Sequence, residues 1–141
     1  MASRPSGRGA LAVGAVGGYL AGAFSFSKVV GERAAPGEDI NVTFIDVKET
    51  GTTVEFHGIT PTSVKEHAGS RAMMASIALE AMKAAVPTLG ARVLLPGTAA
   101  APAAATGAVV GHVFPMWSGF RGGYGMSPML GGFLILDPLG M

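Results

Sequence analysis

The chain of 141 residues is rich in apolar side chains and poor in charge, with 49% hydrophobic and 13% charged residues. A soluble domain carries about 25% charged residues, so this composition and a mean hydropathy of +0.45 predict a small membrane protein. The net charge of +1 excludes the strongly basic surface that is typical of nucleic-acid binding. Cysteine is absent, which excludes disulfides and thiolate metal sites.

The first apolar segment follows a short polar leader at residues 1–8 and covers residues 9–30, with Lys28 as its only charged side chain. A helix needs about 20 residues to cross the bilayer core, and this segment is long enough. A cleaved signal peptide is the alternative, because Ala21-Gly22-Ala23 resembles a small-residue cleavage site. We favour a membrane span because apolar segments recur further along the chain.

Residues 31–71 carry most of the charged side chains and are predicted to form a polar loop outside the membrane. Within this loop, residues 40–47 and 52–57 alternate apolar and polar side chains with a period of two. This alternation predicts a small β-hairpin over residues 40–57 with its turn near Gly51. Beyond the hairpin, Pro61 is a residue type that often begins a helix.

A second apolar segment covers residues 72–89 and is predicted to be a transmembrane helix. Glu80 and Lys83 are three residues apart in it and share one helical face. Charges at that depth usually face a partner or a cavity, although a pair that only neutralises itself near the interface is an equal alternative. Pro87 is expected to kink or end this helix.

Two more apolar segments complete the predicted fold. Residues 99–117 are long enough to span the membrane, whereas residues 129–141 are too short, so we expect the sequence to be part of a longer protein. The predicted fold is an all-α polytopic membrane protein with three full transmembrane helices, a partial fourth and a small extramembrane β-hairpin. Residues 9–141 are predicted to form a single membrane domain.

The segment that joins the last two apolar stretches, residues 111–128, is rich in glycine. Three glycines lie within four positions there, Gly122, Gly123 and Gly125. Because they have no Cβ, their N–H groups can converge on an anion, and Arg121 could hold a phosphate through two hydrogen bonds. A tight inter-helix turn, with Arg121 at the lipid head groups, is the alternative.

The same segment resembles the signature of a bacterial enzyme family. Residues 111–115 (GHVFP) and 120–125 (FRGGYG) are similar to the GHxFPxxxxFKGGKG pattern of the acyl-phosphate:glycerol-3-phosphate acyltransferases. Residues 79–87 (LEAMKAAVP) are similar to the family's LDxxKGxxP segment, and residues 18–26 (GYLAGAFSF) to its GYLLGSIPF segment. The resemblance extends from about residue 18 to the end, except for the hairpin.

This chain departs from the family pattern at several places. Ala23 stands where the family has serine, and Tyr124 replaces the second lysine of the last motif, whereas Arg121 keeps the charge of the first. The family's GSGNxGATN stretch appears only as residues 58–63 (GITPTS), without either asparagine. These departures are consistent with an alternative function, a non-catalytic membrane scaffold protein derived from the family.

The resemblance implies a multi-pass enzyme of the inner membrane. It would transfer a fatty acyl group from acyl phosphate to the 1-hydroxyl of glycerol 3-phosphate, forming lysophosphatidic acid for phospholipid synthesis. Its partners would be these two substrates and the lipid bilayer, and no metal or organic cofactor is implied. The 31–71 loop and the Arg121 loop would both lie on the cytoplasmic side.

The resemblance also implies which residues form the site. His112 would position or deprotonate the hydroxyl, although a lone histidine is more often a structural donor, and Lys83 would hold a phosphate. The other implied residues would bind phosphate or the oxyanion: Arg121, Gly122, Gly123, Gly125, Ser25, Thr62 and Ser63. An acyl phosphate is already activated, so no covalent nucleophile is needed, only orientation and charge stabilisation.

Overall fold

The structure is a computed structural model that describes residues 7–139, so most of the predicted polar leader, residues 1–8, lies outside the described part. The described residues are mostly helical and include a small two-stranded sheet, as predicted. The elements are, in chain order, α1 (Gly7–Ala23), α2 (Phe26–Ala34), β1 (Val42–Val47), β2 (Thr52–His57), α3 (Pro61–Leu94), α4 (Ala100–Val113) and α5 (Met126–Leu136). A short 3₁₀ turn, Met116–Ser118, lies between α4 and α5.

Two helical segments are long and apolar enough to cross a membrane, Gly7–Ala34 and Pro61–Leu94. They contain the predicted spans at residues 9–30 and 72–89, and the first is interrupted between α1 and α2. Helix α4 has 14 residues and α5 has 11, which gives lengths of about 21 Å and 17 Å at 1.5 Å per residue. Both are shorter than a hydrocarbon core of about 30 Å.

Contacts between residues divide the chain into two compact units. The first unit consists of Met1–Phe24 and Glu80–Met141, and thus contains α1, the C-terminal part of α3, α4 and α5. The second unit, Ser25–Leu79, contains α2, the sheet and the N-terminal part of α3.

In the first unit, α1 and α4 pack together through residues without large side chains. Glycines at intervals of four line the contact, Gly14, Gly18 and Gly22 in α1 and Gly107 and Gly111 in α4. A Cβ built on Gly18 would overlap the carbonyl oxygen of Ala104 in α4, so the two backbones touch directly. Small residues at this spacing are the usual means by which helices associate in lipid.

This contact makes a measurable prediction about Gly18. Gly18→Ala is expected to lower the free energy of unfolding by about 1–3 kcal/mol, because the added methyl group overpacks the interface. Thermal unfolding in detergent, followed by circular dichroism, measures the change. Gly17→Ala is the matched control, because a Cβ at Gly17 meets nothing within 4 Å and the gain in helix propensity is the same. Equal destabilisation by both substitutions would contradict the predicted contact.

In the second unit, the predicted hairpin is confirmed. Strands β1 and β2 are antiparallel, with Val42 opposite His57 and Val47 opposite Thr52. The turn closes where the N–H of Gly51 donates to the carbonyl of Val47 over 2.9 Å. Gly51 has a φ of +64°, a conformation that glycine adopts without steric cost.

Helix α3 corrects one part of the expectation for Pro87, because the helix does not end there. The helix continues through Pro87 to Leu94, and its non-helical residue is Gly69, with φ 84° and ψ 173°. Proline removes one N–H donor, but long apolar helices tolerate this loss because their neighbours satisfy the freed groups. Gly69 interrupts the helix because its backbone conformation has a positive φ, which glycine alone adopts readily.

Candidate functional site

A carboxylate, an ammonium and an imidazole meet in the interior of the first unit. Glu80 and Lys83 come from α3, and His112 comes from the last turn of α4. Glu80 Oε2 forms an ion pair with Lys83 Nζ and lies 3.2 Å from His112 Nδ1. Lys83 Nζ is 2.9 Å from the same Nδ1. The Glu80–Lys83 pair, which the sequence left as one of two equal alternatives, is therefore present in the interior, and His112 joins it.

The cluster is shielded from solvent and its ammonium has three polar neighbours. The side chains of Glu80, Lys83 and His112 are 0%, 2% and 9% exposed. Besides Glu80 and His112, Lys83 Nζ donates to the carbonyl oxygen of Phe24 over 2.7 Å. An ammonium has three protons, and three atoms lie within reach of them: Glu80 Oε2, the Phe24 carbonyl oxygen and, where it carries no proton, His112 Nδ1. Buried charges are tolerated in proteins when they are paired and hydrogen-bonded in this way.

The loop that contains Gly122, Gly123 and Gly125, called the glycine loop below, lies against His112. A Cβ built on Gly123 would overlap Nε2 of the imidazole, so the loop backbone touches the ring edge that faces away from Lys83. The N–H of Gly123 donates to the His112 carbonyl over 3.2 Å, and the N–H of Gly122 donates to the Val113 carbonyl over 3.1 Å. In this structure these two N–H groups therefore bond to the end of α4, rather than being directed at an anion.

The rest of the loop carries the exposed side chains. Arg121 is exposed, two residues before the glycine that contacts His112, and Tyr124 is 71% exposed. Gly125 has a φ of +80° and precedes the first residue of α5, where glycine is an acceptable N-cap. The loop thus presents one cation among aromatic side chains, which include Trp117 and Phe120.

Three site residues implied by the resemblance belong to the second unit. Ser25 caps α2, where its hydroxyl accepts the N–H of Lys28 over 3.2 Å. Ser63 is buried and exchanges hydrogen bonds with Thr60, an arrangement that caps the start of α3. Thr62 is exposed in the first turn of α3. In this structure the hydroxyls of Ser25 and Ser63 thus stabilise helix ends.

Sequence reasoning missed two features of the cluster. The contact of Glu80 with His112 joins positions in different helices, and the Phe24 carbonyl is a backbone group that no motif indicates. The signal for Glu80 was present, because a charge within an apolar helix usually has a partner. A hydroxyl pair in the second unit, Ser27 and Ser76 at 2.8 Å, also went unnoticed.

The fold and the site define a class of protein. It is a mostly helical protein with two segments long and apolar enough to cross a membrane. Its helices α1 and α4 pack through glycine and alanine, and a buried charge cluster lies beside the glycine loop. A family model described as "Glycerol-3-phosphate acyltransferase" matches residues 12–141. The chain therefore belongs to the glycerol-3-phosphate acyltransferase family, which confirms the resemblance seen in its motifs.

Individual relatives agree with this assignment. A glycerol-3-phosphate acyltransferase of Anaeromyxobacter sp. (strain Fw109-5) is 40% identical over 125 residues, covering 86% of this chain and 56% of the relative. The protein of that name from Anaeromyxobacter sp. (strain K) is 40% identical over 134 residues, covering 92% and 60%. This chain thus spans somewhat more than half the length of these curated relatives.

A solved structure shares the fold. The crystal structure of PlsY, described as an integral membrane glycerol 3-phosphate acyltransferase in its glycerol 3-phosphate form, matches with a TM-score of 0.73. The match covers 92% of this chain and 59% of PlsY, at 23% sequence identity. A structure of PlsY in a lysophosphatidic acid form gives a TM-score of 0.71.

Proposed function

We propose that this chain transfers a fatty acyl group from acyl phosphate to the 1-hydroxyl of glycerol 3-phosphate, forming lysophosphatidic acid. One observation carries the proposal. Lys83 and His112, which lie in two separate family motifs 29 residues apart, are within 2.9 Å of each other. The described forms of PlsY, with glycerol 3-phosphate and with lysophosphatidic acid, support the acceptor and the product.

The proposed reaction needs no covalent enzyme intermediate. The hydroxyl oxygen forms a bond to the acyl carbon, the bond from that carbon to the phosphate oxygen breaks, and inorganic phosphate leaves. The hydroxyl proton is taken up in the phosphate product, so atoms and charge balance without a cofactor. The protein has to orient two phosphorylated substrates and stabilise the charge that develops on oxygen.

The proposed roles follow from exposure and position. His112 acts at the reacting oxygens through its Nε2 edge, and Arg121, which is exposed, binds a substrate phosphate. Lys83 is 2% exposed and acts through His112. Glycines 122 and 123 allow the loop to approach the imidazole. The hydroxyls of Ser25, Thr62 and Ser63, and the backbone of Gly125, are proposed as phosphate ligands on the resemblance of their motifs.

A direct assay tests the proposed function. Membranes that contain the chain are given acyl phosphate and labelled glycerol 3-phosphate, and labelled lysophosphatidic acid is the expected product. An acyl thioester offered in place of acyl phosphate tests the donor. The matched control is His112→Leu. If the folded wild-type chain forms no more product than this control, the chain is the non-catalytic scaffold protein that Ala23 and Tyr124 favour.

We further propose a multi-pass inner-membrane protein with three spans, a partial fourth and an extramembrane hairpin. Because the chain has no cysteine, single cysteines report on each position. Val16 is apolar and 59% exposed in α1, so Val16→Cys should resist an impermeant maleimide if lipid covers it. Ser118→Cys and Thr50→Cys should react from the cytoplasmic side. Ready labelling at Val16, or labelling of the other two only from outside, would overturn this topology.

Tyr124 is the position where a gain of activity is expected. In the family pattern a lysine stands here, and an ammonium could contact a substrate phosphate as a point charge. Tyr124→Lys is therefore expected to lower the KM for glycerol 3-phosphate about tenfold, since a charged hydrogen bond contributes about 1.5–3 kcal/mol. Tyr124→Gln, which adds no charge, is the matched control. The same KM in both variants would refute the phosphate contact.

A further inference from the structure

We infer that His112 carries its proton on Nε2 and presents it to the substrate as a hydrogen-bond donor. In this inference Lys83 is the positioning residue that holds the imidazole in that tautomer. The inference rests on two polar atoms that lie within hydrogen-bond distance of His112 Nδ1. His112 Nδ1 is 2.9 Å from Lys83 Nζ and 3.2 Å from Glu80 Oε2.

A neutral imidazole nitrogen either donates or accepts a hydrogen bond, and it cannot do both. If Nδ1 donated to Glu80, an N–H of the ring would face the Lys83 ammonium at 2.9 Å, donor against donor. One ammonium proton would then lack an acceptor at a side chain that is 2% exposed, which is costly in a protein interior. If Nδ1 accepts from Lys83, all three ammonium protons are satisfied.

Moving the proton within the cluster leads to the same result. Glu80 brings one negative charge, so the buried cluster is neutral with one cation, on either Lys83 or His112. With the cation on Lys83, Nδ1 accepts and Nε2 carries the ring proton. With the cation on His112, both ring nitrogens carry protons. Nε2 is therefore a donor in each neutral arrangement that leaves no Lys83 proton without an acceptor.

The surroundings of Nε2 fit a donor directed at a substrate oxygen. Nε2 lies against Gly123, and only glycine fits there, because a Cβ at this position would overlap the ring. Arg121, the exposed cation of the loop, lies two residues before Gly123 in the sequence. Donors aimed at oxygens that carry or develop negative charge are a strong form of catalytic stabilisation. The substrate oxygen bound by Nε2–H is thus a phosphate or acyl carbonyl oxygen.

The tautomer is measured directly by nitrogen NMR on the chain labelled with ¹⁵N-histidine in lipid nanodiscs. The chain has three histidines, and the signals that disappear in His112→Gln belong to His112. We expect a protonated Nε2 and an unprotonated Nδ1, or two protonated nitrogens. A protonated Nδ1 with a bare Nε2 would overturn the inference. The NMR measurement does not depend on enzyme activity. A negative result in the acyl-transfer assay would therefore contradict the proposed function but leave the inferred protonation of His112 to be decided by NMR.

Kinetics separate a donor from a base, on the assumption that the proposed function holds. The amide of His112→Gln can donate from near the Nε2 position but cannot act as a base, whereas His112→Leu can do neither. We expect kcat/KM for the Gln variant within about tenfold of wild type, and for the Leu variant about ten- to a hundredfold below the Gln variant. Equal loss in both folded variants would overturn the donor role.

The positioning role of Lys83 has its own readout. The double variant Glu80→Leu/Lys83→Met buries no charge and gives Nδ1 no ammonium donor. In this variant the preference for a protonated Nε2 is expected to disappear, and the same NMR spectrum reports it. An unchanged tautomer would show that Lys83 does not position the ring.

Discussion

Lys83→Met is expected to lower the free energy of unfolding by about 3–5 kcal/mol. The substitution removes the ammonium that pairs with the Glu80 carboxylate, which is 0% exposed, and breaking a buried ion pair by removing one partner is strongly destabilising. The same change removes the donor to His112 Nδ1 and to the Phe24 carbonyl. Thermal or denaturant unfolding of the purified protein in detergent measures the loss.

The control for this prediction removes both charges. Glu80→Leu/Lys83→Met replaces the ion pair by apolar side chains of similar volume, which is often neutral or stabilising. The double variant should therefore be more stable than Lys83→Met alone. If the double variant is less stable than Lys83→Met, the missing ion pair does not explain the stability lost in Lys83→Met. That loss would then come from the packing of the lysine stem.

Arg121→Ala is expected to reduce kcat/KM for glycerol 3-phosphate by about ten- to a hundredfold, because a charged hydrogen bond to phosphate contributes about 1.5–3 kcal/mol. The side chain is exposed, so unfolding should change by less than about 0.5 kcal/mol. Initial rates at varied substrate concentration measure the effect.

The control at this position keeps the charge. Arg121→Lys introduces the residue that the family pattern has in this place, and it should retain most of the activity as a point charge, though without the bidentate geometry of a guanidinium. If Ala and Lys variants are both as active as wild type, Arg121 anchors the loop at the lipid head groups, as the alternative interpretation has it.

Local patterns in the sequence predicted much of the fold. The hairpin followed from a period of two over residues 40–57, and the Glu80–Lys83 pair followed from a helical spacing of three. Both depend on short-range geometry, which the backbone fixes within one turn or one strand. The family motifs then led to His112 as a site residue, and the structure locates it next to Lys83.

Other features depend on contacts that local patterns do not encode. Pro87 is a strong helix breaker by propensity, yet α3 passes through it and is interrupted at Gly69. The glycine loop was interpreted either as an anion site or as a tight turn, and the direction of its N–H groups depends on loop conformation. In the structure, those of Gly122 and Gly123 bond to the end of α4. Composition alone could not distinguish the two arrangements.

The position of the Lys83 ammonium has an electrostatic consequence. Its acceptors Phe24 and His112 lie at the C-terminal ends of α1 and α4. The macrodipole of a helix places about half a negative charge at that end and favours a cation there. Two helix ends therefore add to the field of Glu80 at Lys83, and they remain when that carboxylate is neutralised. Loss of the lysine is consequently more damaging to this fold than loss of its acidic partner.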